Sequence, residues 1–198
     1  MFALVYLYAS GVYENIPDTI IRGTFQVVSV ATTTGFATAE FSMWPGALPV
    51  MLIFTSFIGG CAGSTGGGMK VMRWLLLYLQ GVREVKRLVH PNAEIPVKLG
   101  KLVVAPRVIE SVWGFFAVYV VLFAIMMLIL LANGLDQVTA FSAIAASLNN
   151  LGPGLGDVAN GFGSLNDLSK WVCVLAMLLG RLEIFTLLVL ISPSFWDR

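Results

Sequence analysis

Two apolar segments of this chain are too short to cross a bilayer and too apolar to lie bare in water. Residues 17–31 and 135–148 are each roughly 14 residues, or about 21 Å as helix, against a hydrocarbon core of about 30 Å. They are expected to enter the membrane and turn back. Each opens with an aspartate, Asp18 or Asp136, where a carboxylate caps a helix N-terminus and complements its positive dipole end. Each closes in a polar glycine loop: Thr32-Thr33-Thr34-Gly35-Phe36 in one, Asn149-Asn150-Leu151-Gly152-Pro153 in the other. The loop glycines lie 152 − 35 = 117 residues apart, so the chain reads as two copies of one unit.

The surroundings of these segments fit lipid. Of the 198 residues 58% are hydrophobic and 12% charged, with a mean hydropathy of +0.86, outside the soluble range. Longer apolar runs at 44–80, 107–132 and 168–191 are expected to span. The predicted fold class is an all-α integral membrane protein whose copies run span, short re-entrant helix, glycine loop, span. One copy covers 1–80, a basic connection 81–105, and the second copy 106–198. Residues 1–13 lack the positive start of a signal peptide and read as the tail of a longer helix.

Charge sets the orientation. Lys70, Arg73, Arg83, Lys86, Arg87, Lys98, Lys101 and Arg107, eight of the twelve basic residues, fall between the long runs, which makes that connection cytoplasmic and turns the glycine loops outward. It serves equally well as a partner-docking surface. A net charge of +1 leaves no basic excess for nucleic acid. Cys61 and Cys173 sit in apolar stretches with no metal-ligand spacing and read as packing residues; His90, beside Pro91, is assigned no chemistry.

Non-helical backbone at membrane depth survives only where protein buries it or water wets it. Two glycine loops behind two short helices therefore imply a shared wet pathway. The C-terminal end of each helix carries a partial negative charge that favours a cation, and backbone carbonyls replace an ion's water shell where glycine lets the chain turn. Taken singly, each loop is an ordinary turn; the repetition is what favours the pore reading.

The densest glycine run, Gly59 to Lys70, interrupts the longest apolar stretch. It is no phosphate loop, because Met69 separates Gly68 from Lys70 and Val71 stands where Ser or Thr is needed. Two readings stay open. Gly59, Gly63 and Gly67 make overlapping GxxxG packing motifs, whereas the same glycines with Gly60, Ser64, Thr65, Gly66 and Gly68 favour an unwound, movable segment across the pathway. In the last apolar run Arg181 and Glu183 are costly in lipid. Arg181 either stands in the pathway as an electrostatic barrier or pairs structurally, and a separation of about 200° around a helix keeps it from Glu183.

On TTTGF, NNLGPG, GSTGGGMK and GRLE the chain resembles the Trk/Ktr/HKT superfamily of potassium transporters, on its bacterial Trk side. The resemblance covers essentially the whole chain and matches the third and fourth of four pore repeats. It implies a selectivity filter lined by Ala31, Thr32, Thr33, Thr34 and Gly35 with Leu148, Asn149, Asn150, Leu151 and Gly152. It further implies a gating loop over Gly59, Gly60, Gly63, Ser64, Thr65, Gly66, Gly67, Gly68 and Lys70, and Arg181 as the pore barrier. Potassium is then the transported ion, with no organic cofactor, and the setting is a bacterial inner membrane with the filter facing the periplasm. The implied partners are the lipid bilayer, a second copy of the full-length subunit in a homodimer, and a cytosolic nucleotide-binding regulatory ring of RCK type. Each loop has one filter glycine where tetrameric potassium channels have two, so selectivity rests on the resemblance, and ion coupling or symport is left open. The competing reading is a secondary transporter with a midplane site at broken helices. An enzyme lacks a nucleophile with a nearby base, since Ser64 has no neighbouring histidine.

Overall fold

The computed structural model describes residues 2–60, 66–93, 95–182 and 184–196. Helix α1 (Phe2–Ala9) leads to α2 (Ile16–Ala31), then α3 (Leu48–Ile58) and α4 (Val71–Val89). A two-residue hairpin, β1 (Lys98–Leu99) against β2 (Leu102–Val103), pairs Lys98 with Val103 and precedes the 27-residue α5 (Pro106–Ala132). Helices α6 (Gln137–Leu148), α7 (Asp167–Arg181), α8 (Ile184–Ile191) and α9 (Pro193–Trp196) complete the described chain.

The two short helices form close to where the sequence places them, but their starts differ. Asp136 caps α6, accepting hydrogen bonds from the Val138 and Thr139 amides at 3.1 Å each. Asp18 does not cap α2. Pro17 sits in the first turn, where its missing N–H is harmless, so the helix begins at Ile16 with Asn15 ahead of it and Asp18 inside the first turn. Hydrogen bonds from Thr139 hold the exposed Asp136 carboxyl below its ordinary value. A lowered pKa contributes stability that is complete above about pH 4 and is lost as pH falls through the lowered value. Asp136→Ala is expected to cost about 1 kcal/mol at neutral pH. Thermal unfolding in detergent should show that gap shrinking in strong acid.

Only one of the three expected spans is continuous. Among the described residues α5 alone is long and apolar enough to cross a membrane, and its most apolar 18-residue window is only 22% buried. Val120, Val121, Ile125 and Leu128 face outward, the pattern of a bilayer-facing helix rather than a soluble core. The run at 44–80 instead breaks after Ile58, where Gly59 takes φ +70°, and helix resumes only at Val71. The run at 168–191 breaks after Arg181 and resumes at Ile184. Apolar composition reports burial in lipid and is blind to such breaks.

Helix α6 is the hub. From Ser142 to Leu148 every residue is buried, most of them Ala or Ser, and small side chains let α3, α5 and α7 approach closely. On one side Ala140, Ala143 and Ile144 pack with Phe115, Tyr119, Cys173 and Ala176. On the other, Ala145 and Ala146 join Leu7, Val30, Leu52 and Ile53. The α2 helix is barer, with Ile20, Ile21, Phe25 and Val28 exposed along it.

Candidate functional site

The ends of α2 and α6 are built alike, bond for bond. After α2 the amides of Thr32, Thr33 and Thr34 donate to Val28, Val30 and Ser29; after α6 those of Asn149, Asn150 and Leu151 donate to Ala145, Ser147 and Ala146. Every donor and acceptor of the second set lies 117 residues after its counterpart in the first. Backbone angles repeat on the same spacing. Thr33 and Asn150 take φ +56° and +50°, and Gly35 and Gly152 take +81° and +103°. A side chain in the left-handed region costs on the order of 1 kcal/mol, and threonine with its branched Cβ is a rare occupant.

What this backbone does is leave carbonyls free. A helix ends with unpaired C=O groups that need water, protein donors or a ligand. Among the described residues, no hydrogen bond reaches the carbonyls of Ala31, Thr32, Thr33, Thr34 or Gly35, nor those of Leu148, Asn149, Asn150, Leu151 or Gly152. The two loops touch: a Cβ added at Gly35 would land on the carbonyl of Leu151, with Pro153 at 3.6 Å. The two loops, each with a row of carbonyls that accept no hydrogen bond among the described residues, thus meet at Gly35 and Leu151.

The side chains holding the loops were not legible in advance. Ser29 donates to the Phe36 carbonyl at 2.6 Å. In the second copy Ser142 does comparable work, donating to the Leu155 carbonyl at 3.0 Å and accepting from the Leu155 amide at 2.9 Å. The two serines are not equivalent by the 117-residue spacing, which pairs Ser29 with Ala146 and Ser142 with Phe25, so no sequence comparison between copies finds them. Asn149 is fully buried; it accepts from the Tyr119 hydroxyl at 2.7 Å and donates to Ser56 Oγ at 2.8 Å. Asn150 donates to the Met177 carbonyl at 3.2 Å, while Thr32 and Thr34 share a 2.8 Å hydroxyl pair.

The glycine run lies against these loops. Gly63, Ser64 and Thr65 fall outside the described residues, as does Glu183. Gly59, Gly60 and Gly66 to Lys70 are not helical, so Gly59 and Gly67 do not form a helix-packing ridge. The segment leaves α3 and returns to it: the Met69 amide donates to the Phe57 carbonyl at 3.0 Å, and a Cβ on Gly68, at φ +77°, would come within 2.5 Å of the Ser56 carbonyl. The Gly67 amide donates to Thr33 Oγ1 at 3.0 Å, and a Cβ there would fall on the Asn149 carbonyl. Lys70, at φ +69°, stands just before α4. Arg181 is an exposed residue in the last turn of α7. Its neighbour Gly180 abuts the Leu148 carbonyl so closely that a Cβ would overlap it.

A span-length helix left uncovered and a repeated helix-and-carbonyl-loop unit are consistent with a helical membrane protein. The model of a family described as TrkH, a cation transport protein, matches residues 1–198; the chain belongs to that family. It is 58% identical over 184 residues to the Trk system potassium uptake protein TrkH of Vibrio parahaemolyticus, which covers 93% of this chain and 38% of the relative. It is 41% identical over 186 residues to the Trk system potassium uptake protein TrkG of Escherichia coli K12, covering 94% and 38%. The crystal structure of the potassium transporter TrkH from Vibrio parahaemolyticus matches with a TM-score of 0.91 at 55% identity, over 99% of this chain and 42% of that one. The chain thus spans about two-fifths of the length of these relatives.

Proposed function

We propose that this chain supplies two of the repeats of a potassium-uptake pore. The observation that carries the reading is the contact, at Gly35 and Leu151, of two duplicated loops whose backbone carbonyls, from Ala31 to Gly35 and from Leu148 to Gly152, accept no hydrogen bond among the described residues. Such carbonyls replace the hydration shell of a monovalent cation, and the helix C-termini add a partial negative charge of about half an elementary charge each. On this reading residues 1–80 and 106–198 are consecutive pore repeats, and 81–105 is a cytoplasmic connection that turns the filter to the periplasm. The relatives are named for potassium uptake, which supports potassium as the ion.

The glycine segment from Gly59 to Lys70 acts beneath the filter as the gate, because its described residues, Gly59, Gly60 and Gly66 to Lys70, are not helical and Gly67 rests on Thr33 and Asn149. Arg181 stands below the second loop as a fixed positive charge that limits cation flux. The wider assembly is a full-length subunit in the bacterial inner membrane, paired with a second copy and regulated by a cytosolic nucleotide-binding ring on its basic face.

The test is rubidium uptake into proteoliposomes by a chimera in which this chain replaces the matching segment of the Vibrio parahaemolyticus relative. The chimera should concentrate rubidium, with potassium competing better than sodium. Arg181→Ala should raise flux severalfold while keeping that order. Uptake with no preference among these ions, unaltered by Arg181→Ala, would shift the reading to a secondary transporter with a midplane site at the breaks after Ile58 and Arg181.

A further inference from the structure

Asn149 occupies a loop position, yet its side chain points away from the free carbonyls into the protein and joins three helices. Its Oδ1 receives the Tyr119 hydroxyl of α5 at 2.7 Å, and its Nδ2 donates to Ser56 of α3 at 2.8 Å. All three partners are buried: Asn149 and Ser56 are fully enclosed and Tyr119 is 4% exposed. Ser56 in turn donates to the Ile53 carbonyl at 2.6 Å, which directs its lone pairs at Asn149. Both amide ends of Asn149 are thereby satisfied by hydroxyls of fixed geometry, and in a low-dielectric interior such a chain holds its members firmly.

The same residue touches the glycine segment from its backbone side. Gly67 lies on the Asn149 carbonyl with no room for a Cβ, and Gly68 lies on the Ser56 carbonyl. So the last turn of α3, the returning glycine segment and the first loop residue after α6 are fastened at one point. In the other copy the equivalent residue, Thr32, is exposed and among the described residues its hydroxyl bonds within its own turn, to the Val28 carbonyl at 2.7 Å, the Ser29 carbonyl at 3.5 Å and Thr34. Nothing within the described chain clamps it to a neighbouring helix.

We propose that Tyr119, Asn149 and Ser56 are positioning residues that fix the direction of the Asn149 carbonyl and tie it to the position of the glycine segment, so that ion selection and gate position are set together on this side of the pathway. The proposal rests on the pore reading given above. Among the described residues neither the Tyr119 nor the Ser56 hydroxyl hydrogen-bonds a loop carbonyl, so an effect on ion preference must act through Asn149.

The experiment is a double-mutant cycle of Tyr119→Phe and Ser56→Ala in the chimera, each change removing one hydroxyl and nothing else. The readouts are rubidium uptake under sodium competition and thermal stability in detergent. A hydrogen bond of this kind is worth about 1 kcal/mol net, or about fivefold in an equilibrium. Each single variant is expected to reduce the preference for potassium over sodium about fivefold, and the double variant is expected to do less than the product of the two, because both act through one side chain. A structural role alone would lower stability and leave the preference untouched, which overturns the proposal. Gly35→Ser separates the two failures. If it abolishes preference while the hydroxyl variants do not, the clamp is wrong and the pore reading stands; if it too leaves preference unchanged, the pore reading itself falls.

Discussion

Gly35→Ser in the chimera is expected to lose more than tenfold of its preference for potassium over sodium while still reaching the membrane. Two costs meet at this position. The backbone sits at φ +81°, where a side chain adds about 1–2 kcal/mol of strain, and the new Cβ would land on the Leu151 carbonyl of the facing loop. Relief requires either loop to move, and the Gly35 and Leu151 carbonyls accept no hydrogen bond among the described residues, so what moves is the set of oxygens proposed to face the ion. Competition of sodium against rubidium uptake measures it. Unaltered competition would mean that the touching carbonyls do not select the ion.

Gly67→Ala is expected to reduce uptake at least tenfold, with potassium still preferred over sodium but less strongly, because the displaced segment is seated on the Asn149 carbonyl. Its φ is not in the left-handed region, so alanine meets no backbone strain, only the Asn149 carbonyl. Overpacking of this kind costs about 1–3 kcal/mol if the surroundings stay put. The segment instead has an easier way out, which is to lift away from the loop and lose the bond from its amide to Thr33. Gly81→Ala on α4, where an added Cβ meets nothing within 4 Å, is the matched control and should transport normally. Equal uptake in both variants would show that the glycine segment does not need its seat on Asn149.

Much of this arrangement could be read from residues alone, and the reasons differ by element. The short helices were legible because their length is set by where apolar residues stop and a glycine begins, at Gly35 and Gly152. Asp136 was legible as a cap because nothing competes with it; Asp18 was misplaced because Pro17 starts the helix earlier than the acidic residue suggests. The run at 168–191 reads as continuous, since hydropathy sums side chains and does not register the bend at Leu182. The glycine density at 59–68 did mark the first break. Tyr119, Ser56, Ser29 and Ser142 carry no such signal: each is an ordinary residue on its helix, and what matters is a partner outside that helix, Asn149 for Tyr119 and Ser56, Phe36 for Ser29 and Leu155 for Ser142.

The two loops are duplicates in dihedral angle and in main-chain bonding, yet they are anchored differently. One is held from behind by Ser29 and presents the solvent-side hydroxyls of Thr32 and Thr34; the other is bolted through Asn149 to two further helices and through Asn150 to α7. On the proposed pore reading, copies that match in shape but not in anchoring would give the opening one loosely held wall and one firmly held one. An ion pressing on such an opening is expected to displace the Thr33 side, whose hydrogen bond to another segment of the described chain is the single one from the Gly67 amide, before it displaces Asn149.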